Sequence, residues 1–221
     1  MFMPNIFQAN FLGDPNLGMF GFATEKYCVI GPKLSSRKRL EDVLCVRTHE
    51  CKALGTDLAG LFITGNSSGI IAPDILETWE IETLKKISNV LVLKTDFTAL
   101  GNMILLNDKG CLISKLIKNQ KDQISRFLGL ECEIAKSRFG IIGSVALATE
   151  TGCVVHPNIE SECAEQISRL LGVECEAGTA NFGSPYPGAC AIANSKGLVA
   201  SEESTGIEVS RIEEILFRSS R

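Results

Sequence analysis

The residue types best suited to chemistry in this sequence are nine cysteines and two histidines, His49 and His156. A thiol beside a histidine can act as a nucleophile, and closely spaced cysteines can bind zinc or form disulfides. No CxxC pair occurs, and the cysteines are scattered through apolar stretches. The pattern indicates reduced, mostly buried thiols of a cytoplasmic protein, with no catalytic, metal or cofactor site.

An internal repeat accounts for where the cysteines fall. Positions 148–157, ATETGCVVHP, match positions 23–32, ATEKYCVIGP. Two series of residues extend the match to five copies, at intervals of 41 to 45 residues. The first series is Gly18, Gly60, Gly101, Gly143 and Gly188, and the second is Tyr27, Gly69, Gly110, Gly152 and Gly197. Units of this length must bury their apolar faces against their neighbours.

Each unit is predicted to contain a strand, a hairpin, a second strand, a helix and a third strand. Short aliphatic runs such as MILLN (103–107) predict buried strands, and the turn at 107–110 predicts the hairpin. Gly129 and Gly172 follow apolar residues at helical spacing, which predicts two helix C-termini. Cys28, Cys111 and Cys153 occupy equivalent strand positions, which favours packing over catalysis.

The two ends of the chain predict a closed α/β ring. The fifth unit ends with the helix at 206–217 and has no third strand after it, whereas residues 4–13 are strand-capable and belong to no unit. We expect residues 4–13 to complete unit five, and the first-series glycines to let five strands approach at the ring axis. We expect a single domain, 1–221, with units at 14–53, 54–96, 97–137, 138–180 and 181–217.

Several motifs resemble one protein family over essentially the whole chain. The motifs are TALGN (98–102), NDKG (107–110), CVVHP (153–157), GTANFGS (178–184) and ESTGIE (203–208). They are similar to the archaeal and eukaryotic family of translation initiation factor six, whose fold is the pentein, a five-bladed α/β-propeller. The chain ends at Arg221 without the eukaryotic phosphorylatable tail, so the archaeal type is expected.

The resemblance implies a function and partners. Members of the family bind the intersubunit face of the large ribosomal subunit, mainly ribosomal protein uL14 near the sarcin–ricin loop, and prevent the small subunit from joining. The resemblance also implies a monomer without membrane contact, and a role in large-subunit biogenesis. The net charge of −4 favours limited contact with ribosomal RNA. The basic stretch KLSSRKRL (33–40) is a weak candidate for that contact.

Asn102 is the leading candidate for partner binding. It follows the first-series glycine of unit three, where the other units carry Met19, Leu61, Ser144 and Ala189. Such an exception to a local pattern indicates function, or an amide that caps backbone near the axis. Leu61 and Asn66 of unit two are further candidates, although leucine is most often a core residue.

The Gly- and Pro-rich segment GTANFGSPYPG (178–188) is the second candidate site. Binding residues concentrate on loops, so Thr179, Asn181 and Ser184 are predicted to contact the partner. The alternative is a spacer that absorbs the extra residues of the longest interval.

Two other functions remain open from the sequence. Some penteins are Cys-dependent enzymes that modify guanidine groups, and this chain has both thiols and histidines. A structural assembly factor acting only in ribosome maturation is the other alternative. The shared register of the cysteines favours a binding protein over the Cys-dependent enzyme.

Overall fold

The computed structural model describes residues 5–11, 13–32 and 37–218, and it is a mixed α/β structure with five three-stranded sheets. Five units share one order of elements: a short helix, two strands joined by a turn, a longer helix and a third strand. The α/β class and the five-fold repetition predicted from the sequence are confirmed. None of the helices in these residues is long and apolar enough to cross a membrane.

The strands fall into three sets, one strand of each set per sheet. The first strands are β2 Gly21–Ala23, β5 Thr64–Asn66, β8 Ile104–Leu106, β11 Ala146–Ala148 and β14 Ile192–Asn194. The second strands are β3 Tyr27–Ile30, β6 Gly69–Pro73, β9 Gly110–Ile113, β12 Cys153–Val155 and β15 Gly197–Ser201. The third strands are β4 Arg47–Glu50, β7 Val90–Leu93, β10 Glu131–Ile134, β13 Cys175–Ala177 and, for the fifth sheet, β1 Asn5–Ala9.

The helices fall into two sets. The short ones, each of four residues, are α1 Leu17–Phe20, α3 Ala59–Phe62, α5 Leu100–Met103, α7 Ile142–Val145 and α9 Pro187–Cys190. The longer ones are α2 Arg37–Leu44, α4 Thr78–Lys85, α6 Lys121–Leu128, α8 Ser161–Leu171 and α10 Gly206–Phe217, and a 3-10 helix, Lys115–Gln120, precedes α6. Gly129 and Gly172 end α6 and α8 with φ of 68° and 63°, which confirms the two predicted helix ends.

Each second strand lies in the middle of its sheet. It pairs antiparallel with the first strand and parallel with the third. In the fifth sheet β1 pairs parallel with β15, from Asn5 opposite Gly197 to Ala9 opposite Ser201. The Gln8 amide reinforces this pairing, because its Nε2 donates to the backbone oxygens of Ser201 and Ser204.

The first-series glycines lie in the short helices that precede the first strands, and these helices were not predicted from the sequence. A four-residue helix is too short to give a periodic apolar pattern, so the sequence does not distinguish it from the strand that follows. The predicted close approach is present nevertheless. A Cβ added at Gly101 would meet the carbonyl oxygen of Gly60, one at Gly60 would meet that of Gly18, and one at Gly18 would meet that of Gly188.

Contacts among the units run in a cycle. The helices α1, α3, α5, α7 and α9 contact one another in that order, and α9 contacts α1. The first strands follow the same cycle, from β2 through β14 and back. The molecule therefore has a helix face, which carries the short helices, and an opposite turn face, which carries the hairpin turns at 24–26, 67–68, 107–109, 149–152 and 195–196.

Candidate partner-binding face

The helix face gathers five of the six residues predicted to bind a partner. Leu61 and Asn102 lie in α3 and α5 themselves. Because the third strand of each unit runs parallel to the second, it ends at the helix face, and the loop that follows β13 lies there too. That loop carries the other three residues, Thr179, Asn181 and Ser184.

Asn102 is half-buried and takes part in a link between neighbouring units. Its Oδ1 accepts a hydrogen bond of 2.9 Å from the hydroxyl of Ser144, which holds the equivalent position in α7. Leu61, at the same position in α3, is also half-buried. Both side chains therefore combine packing within the molecule with partial exposure on the helix face.

The loop at 178–184 is held rigidly by the carboxylate of Glu208 in the first turn of α10. This side chain is 8% exposed. It accepts hydrogen bonds from the backbone N–H of Phe182 and of Gly183, at 3.2 and 2.8 Å, and from the Thr179 hydroxyl at 3.0 Å. It also accepts from both the N–H and the hydroxyl of Thr205, which completes a capping box.

The polar side chains predicted as contacts in this loop serve mainly to shape it. Asn181 donates from Nδ2 to the backbone oxygen of Pro15, at 2.9 Å, and accepts at Oδ1 from the Ser204 hydroxyl. The backbone groups of Ala180 and Ser184 bond each other. Asn181 and Phe182 have φ of 49° and 57°, an unusual left-handed conformation that these bonds hold in place.

The sequence reasoning missed two apolar side chains, Phe182 within this loop and Ile207 beside it in α10. Phe182 is 86% exposed and Ile207 is 85% exposed. They are neighbours, because the Phe182 N–H bonds the Glu208 carboxylate next to Ile207. The sequence contains a signal for the exposure of Phe182. This phenylalanine is flanked by small and polar residues in a Gly- and Pro-rich loop, so it has no neighbouring apolar residues to form a core with it.

Other exposed apolar side chains concentrate on the helix face as well. Each of them lies in a loop after a second or third strand, or at the beginning of a helix, on the helix face. They are Ile75, Trp79, Phe97, Leu116 and Tyr186. Three of them, Ile75, Phe97 and Leu116, line an open groove of about 640 Å³ between units two and three. Clustered exposed apolar surface of this kind is typical of protein-binding sites.

The turn face is polar by contrast, and Asn66 lies there. Asn66 is 2% exposed, donates from Nδ2 to the Asn107 backbone oxygen at 3.1 Å, and accepts at Oδ1 from the Ser68 N–H at 2.9 Å. Asn107 and Asn194 make equivalent links between units. The side chain of Asn66 is thus engaged in holding the turns together, away from the other five predicted residues.

Carboxylates on the turn face join successive units. Asp108 accepts from the Ser67 N–H at 2.8 Å, Glu150 from the Asp108 N–H at 2.6 Å, and Glu25 from the Ser195 N–H at 2.8 Å. Burial raises the pKa of Glu150, and the charge of Asp108 adds to that rise, although the hydrogen bond from the Asp108 N–H opposes it. The described residues contain no group of three or more side chains arranged to hold a metal ion.

The three cysteines at equivalent positions of the second strands lack the properties of nucleophiles. Cys28, Cys111 and Cys153 are fully buried, and burial raises the pKa of Cys28 to about 12. Catalytic cysteines instead have lowered pKa values and some exposure. His156 packs between Phe139 and Tyr186, and its Nδ1 accepts from the Asn158 N–H. A cavity of about 90 Å³ near the axis is smaller than a substrate pocket of the usual size.

Part of the basic stretch at 33–40 lies outside the described residues, namely 33–36. Of the remainder, Arg37 pairs with Glu41 at 3.4 Å, and the guanidinium of Arg39 stacks over the Phe7 ring at 4.6 Å. Leu40 is buried in the core. The two arginines are therefore partly engaged within the molecule.

Comparison with known proteins gives matches over nearly the whole chain. A family model described as "eIF-6 family" matches residues 6–215. The chain is 36% identical to translation initiation factor 6 of Pyrococcus horikoshii, over 96% of this chain and 98% of that protein. It is 35% identical to the protein of the same name from Pyrococcus abyssi, with the same coverage, and to that from Methanocaldococcus jannaschii, over 97% and 99%.

Proposed function

The chain belongs to the eIF-6 family, and from that premise we propose that it acts in translation initiation by binding the large ribosomal subunit. The bound protein occupies the intersubunit face and sterically prevents premature joining of the small subunit. The relatives carry the name translation initiation factor 6, which supports the role in initiation. A contribution to large-subunit biogenesis and a cytoplasmic location belong to the same proposal.

The family is one of translation factors, and the chain is not an enzyme. The names of the relatives describe factors. The fully buried Cys28, Cys111 and Cys153, whose pKa values are raised, agree with this, because a guanidine-modifying enzyme needs a reactive cysteine beside a histidine. No observation favours the enzyme alternative.

We infer that the five units form a single domain, a five-bladed α/β-propeller of the pentein type. The cyclic contacts of the short helices and of the first strands support this architecture, as does the parallel pairing of β1 with β15. The units at 14–53, 54–96, 97–137, 138–180 and 181–217 are the blades, and residues 4–13 complete the fifth.

The helix face is the docking face in this proposal. The observation that carries the choice is the concentration of exposed apolar side chains there, led by Phe182 and Ile207, whereas the turn face is polar. Protein interfaces are built around such apolar and aromatic anchors. The partner proposed is mainly ribosomal protein uL14 near the sarcin–ricin loop. Contact with ribosomal RNA is limited, because a chain of net charge −4 gains little from phosphates.

To block the small subunit sterically, the protein needs only sufficient affinity for the large subunit and sufficient size. A compact chain of this length has a radius of gyration of about 17 Å, so the body is roughly 40–50 Å across. A monomer of that size on the joining face leaves no space for the small subunit, and no chemical step or conformational signal is required.

The experiment is cosedimentation with isolated ribosomal subunits, followed by an assay of subunit joining. We expect the protein to sediment with large subunits only, and joined ribosomes to decrease in proportion to occupancy. Sedimentation with small subunits alone would contradict the proposal. Saturating binding to large subunits with no effect on joining would favour the assembly-factor alternative.

Variants test the docking face. Asn102→Asp keeps an acceptor for the Ser144 hydroxyl but changes the group offered to a partner, so we expect binding to weaken by roughly 5- to 150-fold, equivalent to about 1–3 kcal/mol. Phe182→Asp should also weaken binding and leave the fold intact. Ser68→Asp is the matched control, because Ser68 is exposed on the turn face. Weakening by the control variant alone would assign docking to the other face.

A further inference from the structure

Two pairs of cysteines face each other across neighbouring parallel strands. Cys153 in β12 lies opposite Cys175 in β13, and Cys111 in β9 lies opposite Cys132 in β10. Adjacent strands are about 4.8 Å apart, which is within the range of about 4.4–6.8 Å between the Cα atoms of a disulfide. Both pairs therefore have the backbone spacing that a disulfide requires.

The pair in unit four has an attacking thiol that solvent can reach. Cys175 is partly exposed, whereas Cys153 is fully buried beneath it. The neighbouring Cys153 thiol lowers the pKa of Cys175, burial opposes this by raising it, and the Ser168 hydroxyl lowers it further, so the pKa lies below its usual value. The thiolate is the form that attacks oxidants, so Cys175 is the more reactive member.

We propose that Cys153 and Cys175 form a peroxide-reactive dithiol site that closes to a disulfide. The Cys175 thiolate attacks one oxygen of hydrogen peroxide, the O–O bond breaks, and the departing hydroxide takes up a proton to become water. The sulfenic acid at Cys175 is then attacked by the Cys153 sulfur. The S–S bond forms, the S–OH bond breaks, and the proton of Cys153 leaves with the hydroxyl as water. Two thiols and one peroxide thus give one disulfide and two waters.

The other units supply internal comparisons. In unit three Cys132 is only 4% exposed, so the Cys111–Cys132 pair reacts more slowly. In unit one the residue opposite Cys28 is Thr48, so no disulfide can form there. Cys45 is exposed and has no thiol opposite it in the described sheets. Its oxidation therefore shows how fast peroxide reacts with an accessible thiol that has no partner for a disulfide. The proposal is independent of ribosome binding.

The test is peroxide treatment of the native reduced protein at neutral pH. Remaining thiols are then alkylated, and peptides are mapped by mass spectrometry without reduction. Besides the oxidation of the exposed Cys45, we expect two thiols to be lost to a Cys153–Cys175 cross-link, which forms before any Cys111–Cys132 link. Absence of the cross-link once Cys45 is fully oxidised would overturn the proposal. A link from Cys163, the other buried thiol near Cys175, would also overturn it.

A variant separates the attacking thiol from the resolving thiol. Cys153→Ser leaves Cys175 without a partner, so the sulfenic acid should accumulate there and be trapped by dimedone, whereas Cys111→Ser should leave the Cys153–Cys175 link unchanged. Equal dimedone labelling of Cys175 in the wild type and in Cys153→Ser would refute the resolving role of Cys153. Because mapping of the wild type needs no variant, it decides the question if Cys153→Ser does not fold.

Discussion

Single carboxylates at helix N-termini fix the loops of the helix face. Glu208 bonds the backbone of the Phe182–Gly183 turn, and Glu80 in α4 bonds the N–H groups of Leu54 and Gly55 in the same way. Burial by itself raises the pKa of Glu208, but hydrogen bonds from Thr205, Gly183 and Thr179 outweigh it and leave the pKa below its usual range. The charged form is thus the one that holds the loop.

Replacing this carboxylate should weaken the fold in a pH-dependent manner. Glu208→Gln keeps the shape but turns one acceptor into a donor facing other donors, so we expect a loss of about 1–3 kcal/mol in unfolding free energy at neutral pH. Because the folded pKa is lowered, the stabilisation by Glu208 is complete above its unfolded value of about 4.5 and is lost as the pH falls through the folded pKa.

Urea unfolding from neutral pH down to acid pH provides the measurement. The variant should show a flatter loss of stability in acid than the wild type, and Glu203→Gln, at an exposed position of the loop before α10, should behave as wild type. Parallel pH profiles for Glu208→Gln and wild type would contradict the assignment.

The short helices are the elements that let five units meet. The glycine of each one faces the backbone oxygen of the glycine in the neighbouring unit, and no side chain fits between them. A methyl group at one of these glycines would have to displace the main chain of the neighbouring unit, not the end of a flexible side chain. That main chain is packed between two units and has little freedom to move.

Gly101→Ala should therefore destabilise the protein by about 3 kcal/mol or more, at the upper end of overpacking effects. Gly206→Ala is the matched control, because an added Cβ at that first position of α10 meets nothing within 4 Å. The control should be neutral or stabilising by up to about 1 kcal/mol, since alanine is the better helix former. Chemical unfolding followed by circular dichroism measures both, and equal effects of the two substitutions would disprove the crowding argument.

The whole molecule depends on joining its first strand to its last sheet. Residues 5–9 complete the fifth sheet, and Phe11 just beyond them stacks on Phe20 of α1, with ring centroids 3.8 Å apart. Without this segment β15 becomes an exposed edge, and the first and fifth units lose one of the contacts that hold them together.

Deletion of residues 1–12 should accordingly lower the melting temperature by about 10 °C or more. The deletion removes several kcal/mol of strand hydrogen bonds and packing, and each kcal/mol lost lowers the melting temperature by about 2–4 °C. A synthetic peptide of residues 1–12 added in trans should restore part of the loss, and a scrambled peptide should not. A truncated protein that melts at the wild-type temperature would rule out this role of the first strand.

The sequence alone determined the features that depend on local signals. The number of units, the hairpin turns, the ends of α6 and α8 at Gly129 and Gly172, and the full extent of α10 were all predicted correctly. These features follow from periodicity, turn chemistry and left-handed glycines, each of which is specified by a few neighbouring residues.

Only the tertiary structure decided which residues share a face and which side chains meet. Asn66 and Leu61 are close in the chain, yet the three-residue strand that ends at Asn66 carries them to opposite faces. The exposure of Phe182 depends on Glu208, 26 residues away, and the pairing of Cys153 with Cys175 depends on the register of two strands separated by α8. Such contacts are set by packing across long loops, which leaves no local pattern in the sequence.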